Sequence, residues 1–195
     1  ATLDEPEHGL TDEVLNNTDV LLWWGHARHN DVRDDVVARV VEHVRNGMGF
    51  IALHSAHHSK PFRALMGTSC SLQWNSINQR AHVWTVKPTH PIAQGVPLEF
   101  TLDVEEMYGE YFNIPDPDDL IFVTWYQDGH VFRGGCTFTR SAGKIFYFHP
   151  GHETGNSFFN PNVIRVIKNA IYWAKPIEKK NYRASECVEP LEEVR

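Results

Sequence analysis

Gly49-Phe50-Ile51-Ala52-Leu53-His54-Ser55-Ala56-His57-His58-Ser59 is a short apolar run that stops abruptly at three histidines and two serines. The segment 50–53 has no polar side chain and is too short for a helix, and Gly47 and Gly49 punctuate the approach, so it reads as a buried strand. Ser59, followed by Pro61, reads as the N-cap of a helix that Gly67 stops. A strand that runs almost directly into a helix is the geometry of a nucleophile elbow, which presents side chains at the carboxyl edge of a parallel sheet; Ser55 sits at the bend. A single histidine there would read as a polar loop residue. His54, His57 and His58 together, in a chain with 12 His, point instead to metal ligation or proton transfer.

Working outward, Val20-Leu21-Leu22-Trp23-Trp24 is a second apolar run, and it ends in Gly25-His26-Ala27-Arg28-His29. If the two strands lie parallel in one sheet, His26 and His54 reach the same edge. Between them, Asn30 and Asp31 are expected to cap a helix whose Val32, Val36, Val40, Val41 and Val44 recur at helical spacing. Upstream, Thr11 caps one short helix within 10–17, and residues 1–3 read as the end of a strand. Strand, helix, strand and helix joined by short links describe βαβ units, so the fold class is α/β.

Downstream, 83–86 and 120–125 read as strands, 131–133 and 136–139 as extended chain, and 141–143 as a turn. His90, before Pro91 in a turn-rich segment, reads as a turn residue. The strand over 144–148 ends in His149-Pro150-Gly151-His152-Glu153, so a third apolar run terminates in histidine. Asn160-Pro161 opens the last helix, with Ile164, Ile167, Ala170, Ile171 and Ala174 as its expected core stripe. Residues 1–176 form one expected domain, and the charged segment 177–195 reads as a peripheral tail.

Leu102-Asp103-Val104-Glu105-Glu106-Met107-Tyr108-Gly109-Glu110-Tyr111 concentrates three Glu and two Tyr without a clean helical stripe. Val104, Met107 and Tyr108 suggest packing rather than full solvation, which leaves Glu106 and Tyr108 as the candidates for acid–base work, hydroxyl recognition or metal ligation.

The composition, 42% hydrophobic and 12% aromatic over 195 residues, is that of a folded globule. A formal net charge of -7 with scattered Lys and Arg argues against nucleic-acid or acidic-membrane partners, and no apolar run approaches a bilayer span. Cys70, Cys136 and Cys187 form no CxxC pair and suggest neither a disulfide framework nor a cysteine zinc site, so a cytoplasmic location is expected.

With these residues in view, the chain resembles the trehalose-utilisation, or ThuA-like, family of class I glutamine-amidotransferase-like folds. The matching stretches are VLLWWGHARH, GFIALHSAHHS, THPIAQG, EEMYGE, and GKIFYFHPGHE with its following NPNVIRVIKNAIYWA helix, within residues 18–174. The resemblance implies a flavodoxin-like three-layer sandwich with a mainly parallel central sheet, and Ser55 at the elbow that carries the nucleophilic Cys of amidotransferases. No Cys of this chain follows a strand at such an elbow, which argues against thiolate-dependent glutamine hydrolysis. The family pattern favours His152 over His149 as its characteristic histidine. It also implies a further strand and helix ahead of the segment equivalent to Ala1, facing the site.

The function so implied is an enzyme acting on trehalose or a keto-sugar derivative, with a small-molecule sugar as partner and self-association into a homo-oligomer left open. His54, Ser55, Glu106, Tyr108 and His152 are the candidate catalytic groups, and His57, His58, His149 and Glu153 the candidate substrate contacts. His54 and His152 with Glu106, and His26 or His57 as further ligands, suit a divalent ion such as zinc; no nucleotide cofactor is expected. Two alternatives stand beside this. One is a metal-free hydrolase using Ser55 with His152 as base, although no GxSxG surrounds Ser55. The other is a non-catalytic carbohydrate-binding protein, in which Trp23, Trp24, Trp74, Trp84 or Trp125 stack on sugar rings, core packing being the expected use for most of them.

Overall fold

A computed structural model describes residues 1–176 and 189–193. Among the described residues, one sheet contains β1 (Val20–Trp24), β2 (Gly49–Leu53), β3 (Gln73–Thr85), β4 (Glu99–Gly109), β5 (Asp119–Tyr126), β6 (Val131–Arg140) and β7 (Gly143–Phe148). Their spatial order is β1-β2-β7-β6-β5-β3-β4. The helices are α1 (Asp12–Asn16), α2 (Asp34–Arg45), α3 (Lys60–Met66) and α4 (Pro161–Ala174).

The fold is mixed α/β, and the expectation of a mainly parallel sheet is corrected. Only β1–β2 and β2–β7 pair in parallel, whereas β7–β6, β6–β5, β5–β3 and β3–β4 are antiparallel. The reason lies in the links. The two residues Ser141 and Ala142 join β6 to β7, and a parallel crossover needs a dozen residues or more. The helical links that enforce parallel pairing occur around β1 and β2, and the sequence pattern of that first half does not extend to the second.

Local chemistry places most elements where the residues suggest. Ser59 Oγ accepts the Phe62 N–H, Pro61 lies in the first turn, and Gly67 closes α3 at φ 73. Thr11 caps α1 by accepting the Val14 N–H, and Asn160 caps α4 by accepting from Asn162. Three expectations shift. The segment 1–3 is not a strand. A 3-10 turn occupies His29–Asp31, so α2 begins at Asp34, although Val36, Val40, Val41 and Val44 do form its buried face. The buried stripe of α4 is Val163, Val166, Ala170 and Ala174, with Ile167 and Ile171 only partly covered and Ile164 exposed. A helix that packs on a sheet turns its smaller β-branched and Ala positions inward where backbones approach closely. Here a Cβ on Gly49 of β2 would lie 2.7 Å from the Ala174 carbonyl. The expected tail over 177–195 falls largely outside the described residues.

No helix among the described residues is long and apolar enough to cross a membrane.

Candidate functional site

The register of β1, β2 and β7 brings three histidine-bearing strand ends level: Trp24 faces Leu53, and Leu53 faces Phe148. His54 leaves β2 with φ 53, in the left-handed region that a residue other than glycine adopts uncommonly and under constraint. The constraint is visible. Its Nδ1–H donates to the His149 carbonyl at 3.0 Å, which leaves Nε2 aimed at Glu106 Oε2, 3.2 Å away, and the Tyr108 hydroxyl, 3.4 Å away. The strained position of the strand-to-turn bend is therefore His54, one residue before Ser55.

His26 and His152 close the cluster from either side. The ring of His26 stacks on His54 with centroids 5.7 Å apart, and its Nδ1 lies 3.2 Å from Glu153 Oε2 and 3.3 Å from Ser55 Oγ. Ser55 donates its hydroxyl proton to the Gly25 carbonyl at 2.7 Å. His152 Nε2 stands 3.8 Å from Glu106 Oε1 and 3.7 Å from Glu153 Oε2. One donor atom each from His26, His54, Glu106 and His152 lie within 4.8 Å of one another.

Glu106 reaches this group although β4 is the last strand of the sheet. The β3–β4 ribbon carries register shifts between Asn75 and Asn78 and between Gln79 and Ala81. Such bulges bend and coil a strand pair, and the end of β4 is thereby brought over the carboxyl edge, where Tyr108 contacts the rings of His54 and His149. The three glutamates then divide by position. Glu106 faces His54. Glu110 pairs with the guanidinium of Arg133 and accepts the Arg133 and Phe112 backbone N–H groups. Glu105, fully buried, accepts the N–H of Glu106, Gly151 and His152 and the hydroxyl of Ser157, so its carboxylate ties down the loop that carries His152.

Gly151 is needed at the turn of that loop. It sits at φ 143, and a Cβ there would lie 2.6 Å from the Phe158 ring. Its carbonyl accepts the Trp24 indole N–H at 3.0 Å, joining the loop to β1. Sequence reasoning passed over Glu105 and Trp24 as contributors; the doubled Glu105-Glu106 between the apolar Val104 and Met107 was the available signal for the first.

The remaining candidates are placed as follows. The His149 ring lies beneath the cluster, fully buried, with Nε2 2.7 Å from the Tyr126 hydroxyl, and it meets the site through its carbonyl. Burial first, then the His54 charge, hold its pKa well below the ordinary imidazole value. His57 is buried against Tyr108, Phe112 and Tyr147, and His58 is partly exposed beside His29. Both line, with Ser55, Glu106 and Tyr108, a cavity of about 190 Å³. Burial is the largest influence on Glu106 and pushes its carboxyl up, but the His54 hydrogen bond and the charges of His54, His152 and His26 outweigh it and hold the group below its ordinary range. Burial and the neighbouring Glu106 charge raise the Tyr108 phenol, so it remains a proton donor. Trp24, Trp74, Trp84 and Trp125 are 45–61% exposed, which corrects the expectation that most tryptophans serve the core. His90 caps the turn at Pro91–Ala93 by accepting the Ile92 N–H.

The neutral state of His57 has a measurable consequence. Burial, then the His58 charge, push its pKa down to about 2, although Nδ1–H donates to the Cys70 carbonyl. An unfolded His titrates near about 6.5, so below that pH the unfolded chain binds a proton the folded chain does not. The stability contribution is complete above about pH 6.5 and falls by about 1.4 kcal/mol per unit as the pH drops. Urea unfolding at about pH 7 and about pH 5 should show a loss of about 2 kcal/mol from this group. The His57→Asn variant, which retains a donor for Cys70, should show a slope shallower by about one proton; an unchanged slope would refute the assignment.

Residues 1–174 match the sequence model of the family described as ThuA, trehalose utilisation. The chain belongs to the ThuA family. Solved structures agree with this at the level of the fold. A protein described as ThuA-like from Parabacteroides merdae is 15% identical, with a TM-score of 0.62 over 84% of this chain and 74% of that one. Another from Bacteroides uniformis is 17% identical, with a TM-score of 0.60 over 83% and 71%. A cytoplasmic protein of Salmonella typhimurium is 12% identical, with a TM-score of 0.60 over 86% and 76%. No curated protein matches the chain significantly. Within this ThuA chain, the matched region holds all of the strand-end histidines and the glutamates of β4.

Proposed function

We propose that this ThuA chain is an enzyme of sugar metabolism, acting on trehalose or a keto-sugar derivative, whose His26–His54–Glu106–His152 cluster holds a divalent ion. The observation that carries the reading is the approach of those four donors to within 4.8 Å, two of them, His26 and Glu106, lining the cavity. Three imidazoles and a carboxylate form a donor set suited to zinc. The donation from His54 Nδ1 to the His149 carbonyl supports the fit, because it fixes the tautomer and turns the Nε2 lone pair toward the cluster. The scaffold is the three-layer, flavodoxin-like arrangement implied by the family resemblance.

When bound, such an ion polarises a carbonyl or lowers the pKa of a water. The protein's own groups then divide the remaining work. Glu153, half exposed between His26 and His152, is placed to exchange a proton between the site and solvent. Tyr108, kept protonated, donates to an oxygen developing charge beside His54. Burial of His54 and Glu106 keeps bulk water away from the reacting atoms.

Dialysis against a chelator, metal analysis and assay of a keto-disaccharide test the reading. The purified protein should carry close to one ion per chain, and its removal should lower turnover by at least about 100-fold, with recovery on adding zinc back. Full activity in metal-free protein would exclude the metal role.

A second reading, the metal-free hydrolase, rests on the 3.3 Å approach of Ser55 Oγ to His26 Nδ1, which makes His26 rather than His152 the adjacent base. Chelator-resistant turnover that disappears in Ser55→Ala would select it. Sugar binding without turnover would select the non-catalytic alternative.

A further inference from the structure

The cavity above the cluster is organised by exposure. Ser55, His57, Glu106 and Tyr108 are buried at its base, whereas His26, His29, His58 and Trp74 are the more exposed residues at its mouth. Trp74 of β3 pairs directly with Tyr108 of β4. Direct partners in an antiparallel pair project from the same face of the sheet, so the indole stands beside the phenol that touches His54 and remains 61% exposed. Trp84 and Trp125 are also half exposed, but they do not line this cavity. A large flat apolar ring left in water next to a polar cluster is the arrangement expected of a stacking surface.

Among the described residues no Lys or Arg lines the cavity, and His29 and His58 line it together with Trp74. Neutral imidazoles each offer one donor and one acceptor, a combination matched to hydroxyl groups.

We propose that Trp74 is the platform of a substrate subsite in which one pyranose ring stacks on the indole and hydrogen-bonds to His29 and His58. This subsite rests on the reading of the His54–Glu106 cluster as the reacting centre, and it makes Trp74 the residue that positions the sugar ring against that centre.

Titration calorimetry on the full chain tests this with trehalose and methyl α-glucopyranoside as probes, with metal content measured in the same preparations. The wild-type protein should bind both sugars. Trp74→Ala should weaken the neutral sugars about tenfold, and Trp74→Phe should recover most of that loss, at unchanged metal content and thermal midpoint. Undiminished binding by Trp74→Ala, or absence of sugar binding in metal-replete protein, would each overturn the subsite. Trp74-dependent sugar binding in protein that never carries a metal would instead retain the subsite and overturn the metal reading.

Discussion

Replacing Glu105 with alanine is expected to lower the thermal midpoint by roughly 10 °C and to reduce turnover as well. Four donors converge on this buried carboxylate: the N–H groups of Glu106, Gly151 and His152 and the hydroxyl of Ser157. Removing a buried, hydrogen-bonded charge and leaving its partners unsatisfied costs about 3–5 kcal/mol, and for a chain of this length each kcal/mol corresponds to about 2–4 °C. The effect on turnover follows from position, because two of the donors belong to the loop that carries His152 into the cluster. Glu105→Gln keeps the volume and one acceptor oxygen, and should fall between the wild type and alanine. Calorimetry and turnover measured on the same samples check the linkage; a normal midpoint in Glu105→Ala would show that the carboxylate does not hold the loop.

His54→Ala is expected to reduce turnover by about 10²–10⁴-fold, the range for loss of a positioned proton-transfer or ligand group. The native backbone there lies at φ 53, a strain that alanine does not relieve. His54→Gly sharpens the test. Glycine occupies the left-handed region without the penalty of about 1 kcal/mol or more that alanine retains, so the glycine variant should be the more stable of the two while equally inactive. Glu106, without its imidazole partner, should titrate at higher pH, since burial is the largest influence on it and acts in that direction. Carboxyl carbon NMR across the pH range reads that shift. A glycine variant no more stable than alanine would remove the argument that the bend is strained.

Much of the fold was legible where local chemistry and short-range spacing decide it. The run at 49–53 followed by Ser59, Pro61 and Gly67 specified a strand, a turn and a capped helix, and the apolar runs at 20–24 and 144–148 declared themselves as strands ending in histidine. The sheet's antiparallel half was less legible, because β-strand patterns do not state their partners. The short links at 127–130 and 141–142 held that information. The stripe of α4 was read correctly at Ala170 and Ala174 but placed on Ile164 and Ile167 where Val163 and Val166 are buried, for a related reason: its apolar residues nearly surround the helix, and only contact with β2 and β7 decides which of them face inward.

The sequence by itself determined which strand ends carry imidazoles and, through parallel β1, β2 and β7, that these ends share one edge. Periodicity and capping act within a few residues, so one chain segment suffices to read them. Tertiary structure alone decided that β4 coils back over that edge, that Glu106 faces His54 while Glu105 grips the His152 loop, and that Trp74 stands at the mouth. Those placements depend on bulges in a long β-ribbon and on contacts between residues about fifty positions apart. No local pattern records such contacts, because they form only when β4 coils over the carboxyl edge of β1, β2 and β7.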